Sequence, residues 1–258
     1  MQLLKEGLKM GKEVFNRYER KYVIDYDTYE KLLRDLKPYI NMDKYAKNDG
    51  YYTISNIYYD TVDKLFHHER MKRQRFRQKL RLRAYNDVSL DDLVFLEIKK
   101  KYKGLVNKRR TKIKLKDVYD FLSTKEDISV TPEYEVSNQQ ILREMAFLKN
   151  FYDLVPTLVV AYERQAFFAI EDDDIRITFD KNVRRRKEDF RLENGSHGDL
   201  ILNPELFILE VKLNGTLPLW LARILNEHMC VKRRFSKYSN SHNIIEELVD
   251  KEKYHMGI

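Results

Sequence analysis

Polar and apolar residues alternate one for one along much of this chain, and in many of these runs the polar partner is charged. Between positions 75 and 83, Arg75, Arg77, Lys79, Arg81 and Arg83 share one parity while Phe76, Leu80 and Leu82 take the other. An extended backbone has a side-chain period of two, so those cations fall on a single face of a predicted strand. Residues 94–101 repeat the device, with Glu97 and Lys99 opposite Val94, Leu96 and Ile98. Residues 106–115 do so with Lys108, Arg110, Lys112 and Lys114, residues 206–213 with Glu210 and Lys212, and residues 15–24 with Arg17, Glu19 and Lys21. Arg164 and Arg176 sit near the middle of the predicted strands 157–170 and 175–180, and residues 51–59, rich in Tyr, Thr and Ile, form another.

Elsewhere the period lengthens to that of a helix. Asp27 is placed to cap a helix through Tyr29, Leu32, Leu33 and Leu36 that stops before Pro38. Asp60 or Thr61 opens a short helix containing Leu65 and Phe66. Residues 116–122 and 136–152 are predicted helices, the second with Ile141, Leu142, Met145 and Leu148 on one side. Pro218 starts a helix through Leu221, Ile224 and Leu225, and a C-terminal helix carries Ile244, Ile245 and Leu248 on its apolar face. The count is about eight strands and five or six helices, without βαβα alternation or Gly-rich turns. That pattern predicts an α+β fold and argues against a parallel nucleotide-binding sheet. Gly and Pro are scarce, so residues 14–250 read as one domain between a lead-in, 1–13, and a tail, 251–258.

Composition sharpens this picture. The 258 residues are 43% hydrophobic and 35% charged, a globular mixture, with 18 Tyr and 13 Phe to build strands and core. The formal charge is +8, and residues 70–83 hold Arg70, Lys72, Arg73, Arg75, Arg77, Lys79, Arg81 and Arg83 with no acid among them. Such a balance points to an anionic partner. The single Cys230 excludes an intramolecular disulfide. No apolar run approaches the ~20 residues of a membrane span, and no signal-peptide core opens the chain, so the expectation is a soluble, cytoplasmic protein without a transmembrane segment.

Charged faces on so many strands can look at one another if the sheet closes. The predicted architecture is therefore an eight-stranded antiparallel β-barrel with a basic lumen and its apolar parity turned outward under peripheral helices. A lumen of this kind must hold water and anions, because an unpaired buried cation costs several kcal/mol. A chain of phosphates matches best, since Arg and Lys bind its oxygens repeatedly. Glu19, Glu97 and Glu210 either pair with lumen cations or hold a divalent ion, Mn²⁺ or Mg²⁺, that a triphosphate completes. A nucleic-acid partner is not expected, because the aromatics fall mainly on the parity opposite the charges.

Seven short motifs, in order, resemble the VTC-type polyphosphate polymerase domain of the CYTH, or triphosphate tunnel metalloenzyme, superfamily. They are residues 17–21 (RYERK), 80–83 (LRLR), 95–99 (FLEIK), 162–167 (YERQAF), 175–180 (IRITFD), 208–212 (ILEVK) and 235–238 (FSKY). The resemblance implies a tunnel that moves the terminal phosphate of ATP onto a growing polyphosphate with a divalent metal, typically Mn²⁺. It implies phosphate binding by Lys21, Arg81, Arg83, Lys99, Arg164, Arg176 and Lys237, with Lys212 beside them and Glu210 as main metal ligand. Lys79 joins the phosphate-binding set, as do Lys108 and Arg110, which strand parity favours over Arg109. Hydrolytic members of the superfamily begin Glu-x-Glu-x-Lys, whereas Arg17 stands first here ahead of Glu19 and Lys21. A cation in that place suits binding a phosphate chain and favours polymerase over triphosphatase. A triphosphatase, or a non-catalytic polyphosphate- or nucleic-acid-binding module, is the alternative.

Other conspicuous residues have plainer expectations. The run Arg184, Arg185, Arg186, Lys187 is predicted as a solvated loop or strand end, and His67 and His68 as exposed helix surface, since adjacent residues cannot chelate from one helical face. Cys230 is expected to be structural and Trp220 to pack its helix onto the barrel.

Overall fold

The predicted strands form in the computed structural model, which describes residues 18–46, 50–103, 105–124, 134–233 and 237. In chain order these are β1 (Tyr18–Asp25), α1 (Tyr26–Leu36), β2 (Ile40–Met42), β3 (Tyr52–Asp60), α2 (Leu65–Met71), β4 (Phe76–Tyr85), β5 (Leu93–Tyr102) and β6 (Leu105–Lys114). They continue with α3 (Leu115–Ser123), α4 (Gln139–Tyr152), β7 (Val155–Ala169), β8 (Arg176–Arg186), β9 (Asp199–Leu200), β10 (Leu206–Leu213) and α5 (Leu219–Glu227). The C-terminal helix expected around Ile244, and position Arg17, lie outside the described residues.

Every ladder is antiparallel, and the long strands run in the order β1-β10-β8-β7-β3-β4-β5-β6, with β2 added to β7 and β9 to β8. The expected closed barrel is corrected in one respect: among the described residues β1 and β6 do not pair, so the sheet curls without closing. The outer edge of β1 is used otherwise. Tyr22 bridges to Lys232, and the Arg233 amide donates to the Lys21 carbonyl at 2.8 Å, which takes up hydrogen bonds that β6 would need. The curl still brings β5 over to β1, where Lys99 Nζ lies 3.5 Å from Glu19.

Burial follows parity. Ile57, Leu80, Leu82, Val94, Leu96, Ile98 and Ile113 turn outward and pack under α3 and α4 through Val118, Ile141, Leu142 and Met145. On the other half, Tyr22, Ile24, Ile177, Phe179, Leu209 and Val211 pack under α1 and α5 through Leu32, Leu36 and Leu221. Covering the apolar parity with helices leaves the charged parity to line the concave face. One part of that face is apolar as well: Ile54, Tyr58, Leu158, Val160, Val183 and Ile208 form a third cluster. Val183 joins it because Asn182, at φ 50°, interrupts the alternation of β8 and swings the next side chain inward.

Four local expectations change. The cap of α1 is Asp25, whose carboxylate accepts from the Thr28 amide at 2.8 Å, and Asp27 sits in the first turn. β8 runs on to Arg186, and that side chain is buried, donating to the carbonyls of Asp189, Arg191, Gly195 and His197 to hold the following loop. His67 is buried too: Asp60 accepts the Phe66 and His67 amides at the start of α2 and turns this face of the helix inward. The aromatics divide between the two faces, with Tyr52, Tyr58, Tyr85, Phe95 and Tyr162 on the charged parity. Trp220 stacks on Tyr39 at 4.6 Å, fastening α5 as expected.

Candidate functional site

The concave face carries two linked groups of charge. The first is built on β1, β7, β8 and β10, where register places Lys21 opposite Glu210 and Arg164 opposite Asp180. Lys21 Nζ lies 2.8 Å from Glu19 and 3.8 Å from Glu210, while Lys212 Nζ lies 2.9 Å from the other Glu210 oxygen. The Arg164 guanidinium donates to both Asp180 oxygens, at 2.6 and 2.7 Å, and its Nη2 is 3.6 Å from Glu210. Lys237 reaches in to Asp180 from beyond α5.

The second group lies on β4, β5 and β6. Glu97, 1% exposed, is enclosed by Arg81 Nε at 2.6 Å, Lys108 Nζ at 2.6 Å and Arg83 Nε at 3.9 Å. Arg83 also donates to Asn56 Oδ1 at 2.9 Å and to the Tyr162 hydroxyl at 3.2 Å. Tyr162 joins the two groups, since Arg164 and Lys237 lie against its ring, 5.2 and 4.5 Å from its centroid.

This field alters ionisation in identifiable ways. Burial alone would raise Glu210 and Glu19, yet surrounding lysines, Lys21 and Lys212 for both, hold each carboxyl below the usual range. Asp180, equally buried, is brought to about 2 by Arg164 and Lys237. Burial, with Arg81 and Arg83 close by, pushes Lys108 down to about 7 against the pull of Glu97. Burial opposes ionisation of the Tyr162 phenol, but Arg164, Arg83 and Lys237 outweigh it and bring the group to about 8. Lys79 is lowered well below an ordinary lysine by burial and then by Arg70, Lys99, Lys21 and Arg81. These groups supply more positive charge than the local carboxylates match, which is the electrostatics of a polyanion site.

The residues predicted from alternation therefore converge on one face, with differences in detail. Lys21, Arg81, Arg83, Lys99, Lys108, Arg164, Lys212 and Lys237 meet as described. Arg176 lies at its margin, donating to Asp43 at 2.8 Å and to the Tyr52 hydroxyl at 3.1 Å. Arg110 is on the charged parity but stacks on Phe95 at 4.7 Å, while Arg109 turns outward to Glu144 of α4 at 2.7 Å, as parity requires. Asp180, Tyr162, Asn56 and Asp43 were not singled out. The alternation of Arg176, Thr178 and Asp180 already marked Asp180, and Tyr162 shares parity with Arg164. Asp43 lies in a loop and carries no such mark.

The three glutamates do not form one cluster. Among the described residues no group of three or more His, Cys, Asp or Glu is arranged to hold a metal ion. Glu97 is enclosed by Arg81, Lys108 and Arg83, whereas Glu19 and Glu210 flank Lys21 and are held ionised. Two hard carboxylates fit Mn²⁺ or Mg²⁺ where phosphate oxygens complete the coordination.

A curled antiparallel sheet with this cation-lined concave face is a triphosphate tunnel fold. Residues 16–245 match the VTC domain, and the chain belongs to that family. Over 276 residues it is 29% identical to vacuolar transporter chaperone complex subunit 4 of Trypanosoma brucei brucei, covering 90% of this chain and 34% of that protein. The subunit 4 of Trypanosoma cruzi is 26% identical over 218 residues, covering 72% of this chain and 27% of that one. The chain thus spans between about a quarter and a third of the length of these curated relatives. Among solved structures, a Bacillus halodurans protein described as a candidate adenylate cyclase superposes with a TM-score of 0.51 at 13% identity, covering 87% of this chain and 95% of that one. A Hippeastrum protein described as a candidate adenylyl cyclase with a dominant triphosphatase activity gives 0.50 at 14%, covering 87% and 94%. At these identities the two structures establish the shared fold. No helix among the described residues is long and apolar enough to cross a membrane.

Proposed function

We propose that the chain is a polyphosphate polymerase that transfers the terminal phosphate of ATP to a growing polyphosphate. The observation that carries this reading is the convergence of Lys21, Arg81, Arg83, Lys99, Lys108, Arg164 and Lys212, from six different strands of one curled sheet, on the concave face around Glu97 and Glu210. Membership of the VTC family and the curated subunit 4 relatives support it.

Phosphoryl transfer asks the protein for positioning and charge stabilisation and little covalent chemistry. An oxygen of the chain's terminal phosphate forms a bond to the γ-phosphorus of ATP as the bond to the β,γ-bridging oxygen breaks, and ADP leaves. Arg81 and Arg83, fixed by Glu97 and Asn56, present guanidinium donors to the equatorial oxygens. Lys21, Lys212 and Arg164 neutralise charge on the other side. Mn²⁺ or Mg²⁺, when bound, would be held by Glu210 and Glu19 and would draw charge from the phosphate oxygens. Aromatic faces inside the tunnel do not turn the reading toward nucleic acid: Arg110 covers Phe95, Lys237 covers Tyr162 and Arg83 lies over Tyr85 at 5.8 Å, where bases would need to stack.

The test is incubation with ATP and Mn²⁺, measuring polyphosphate, ADP and free phosphate separately. Polymer and ADP rising together is the expected result. Free phosphate without polymer identifies a triphosphatase instead, and no turnover beside tight polyphosphate binding identifies a binding module.

A further inference from the structure

The cations of the concave face continue past the two charge groups toward the end of the β4 and β5 ladder. There, Arg77 faces Lys101 and Lys79 faces Lys99 in direct register, one cation opposite another. Directly opposed like charges destabilise an antiparallel pair. Surface pairs of this kind relax by spreading into water, yet the Arg77 Nε is buried and without a hydrogen-bond partner among the described residues. The carboxylate that acts on Arg70 and Lys101, Glu19, is already shared by Lys21 and Lys99. No ion pair to Arg77 or Lys101 forms among the described residues.

Arg70, in the last turn of α2, adds to the same group, because α2 packs on β4. Its guanidinium is lowered by burial and then by Arg77, and Lys101 is lowered by burial and then by Arg77, Lys99 and Arg70. These groups sense one another through a partly dehydrated space and not through bulk water. A concentration of opposed, half-buried cations with a dangling guanidinium donor is arranged for an anion.

Spacing defines which anion. A strand rises about 3.3 Å per residue, so Arg77 stands ~13 Å along β4 from Arg81. A triphosphate seated between Arg81, Arg83 and Glu210 ends short of that point, whereas an extended phosphate chain continues past it. We propose that Arg77, Lys101 and Arg70 form a second anion site at the end of the lumen, which binds the outlying phosphates of a long polyphosphate and is not reached by a triphosphate. The site rests on the polyphosphate reading above and adds chain-length discrimination to it.

The experiment compares binding of tripolyphosphate and of polyphosphate about 60 units long by titration calorimetry, with the parent protein and with Arg77→Gln, Lys101→Gln and the double variant. The double variant should bind the long chain about tenfold more weakly or worse, the loss expected for charge-assisted hydrogen bonds, and tripolyphosphate as before. Free of ligand it should melt at or above the parent temperature, because the substitutions remove repulsion. Equal weakening for both ligands would overturn the proposal by merging these residues with the central site, and unchanged long-chain binding would overturn it by leaving them no role. A parent protein that binds tripolyphosphate but gains nothing from chain length removes the second site alone. A parent protein that binds neither ligand removes the tunnel reading beneath it.

Discussion

Arg164 and Asp180 face each other across β7 and β8, joined by two hydrogen bonds of 2.6 and 2.7 Å and almost wholly out of water. The pair sits against Glu210 on one side and Tyr162 on the other, so it anchors the floor on which the cation field stands.

Replacing Asp180→Asn should cost about 3–5 kcal/mol, because Arg164 and Lys237 would be left as buried cations without their carboxylate. The sign of the pH dependence follows from the same pair. Asp180 titrates at about 2 in the folded protein, below the ~3.9 of an unfolded aspartate, so its stabilisation is complete above that value and is lost as pH falls toward 2. Urea unfolding at pH 6 and pH 3 should show a loss of about 1 kcal/mol from this group, absent in Asp180→Asn.

Arg81 and Arg83 should separate under mutation. Arg81 donates to Glu97, which keeps Lys108 when Arg81 is removed, so Arg81→Ala should fold and lose ~100-fold or more in polymer synthesis. Arg83 also satisfies Asn56 and Tyr162 in the buried interior, so Arg83→Ala should lose activity and also about 1–3 kcal/mol of stability. Thermal melts beside activity assays distinguish them. Equal stability of both variants would contradict the assignment of Arg83 to a buried network.

Lys108 gives the tunnel a response near neutral pH. At about 7 it is largely protonated at pH 6 and largely neutral at pH 8, so tripolyphosphate should bind more tightly at the lower pH. Lys108→Met should weaken binding at pH 6 and flatten the profile between those values, as read by calorimetry.

On the proposed mechanism, Glu210→Gln should lower turnover ~100-fold or more and leave the residual turnover without response to added Mn²⁺. Lys21, Lys212 and Arg164 would keep their charge with less to neutralise it, so metal-free tripolyphosphate should bind at least as well as before. Loss of metal-free binding in this variant would show that Glu210 shapes the site and does not merely charge it.

Much of this was legible in the chain because a strand's period of two cannot be disguised. A row such as Arg77, Lys79, Arg81 and Arg83 against Leu80 and Leu82 assigns each side chain to a face before any partner strand is known, and the same parity separated Arg110 from Arg109. Pairing across space is a different matter. That Glu97 is closed off by Arg81 and Lys108 while Glu19 and Glu210 stay together depends on which strands the curl brings near, and alternation treats all three alike. The burial of Arg186 and His67 likewise depends on a loop's carbonyls and on Asp60, residues whose approach no local pattern encodes. The seam between β1 and β6, open among the described residues, lies where the segment at Lys232 and Arg233 occupies the edge of β1, a competition for backbone hydrogen bonds that exists only once the chain has folded.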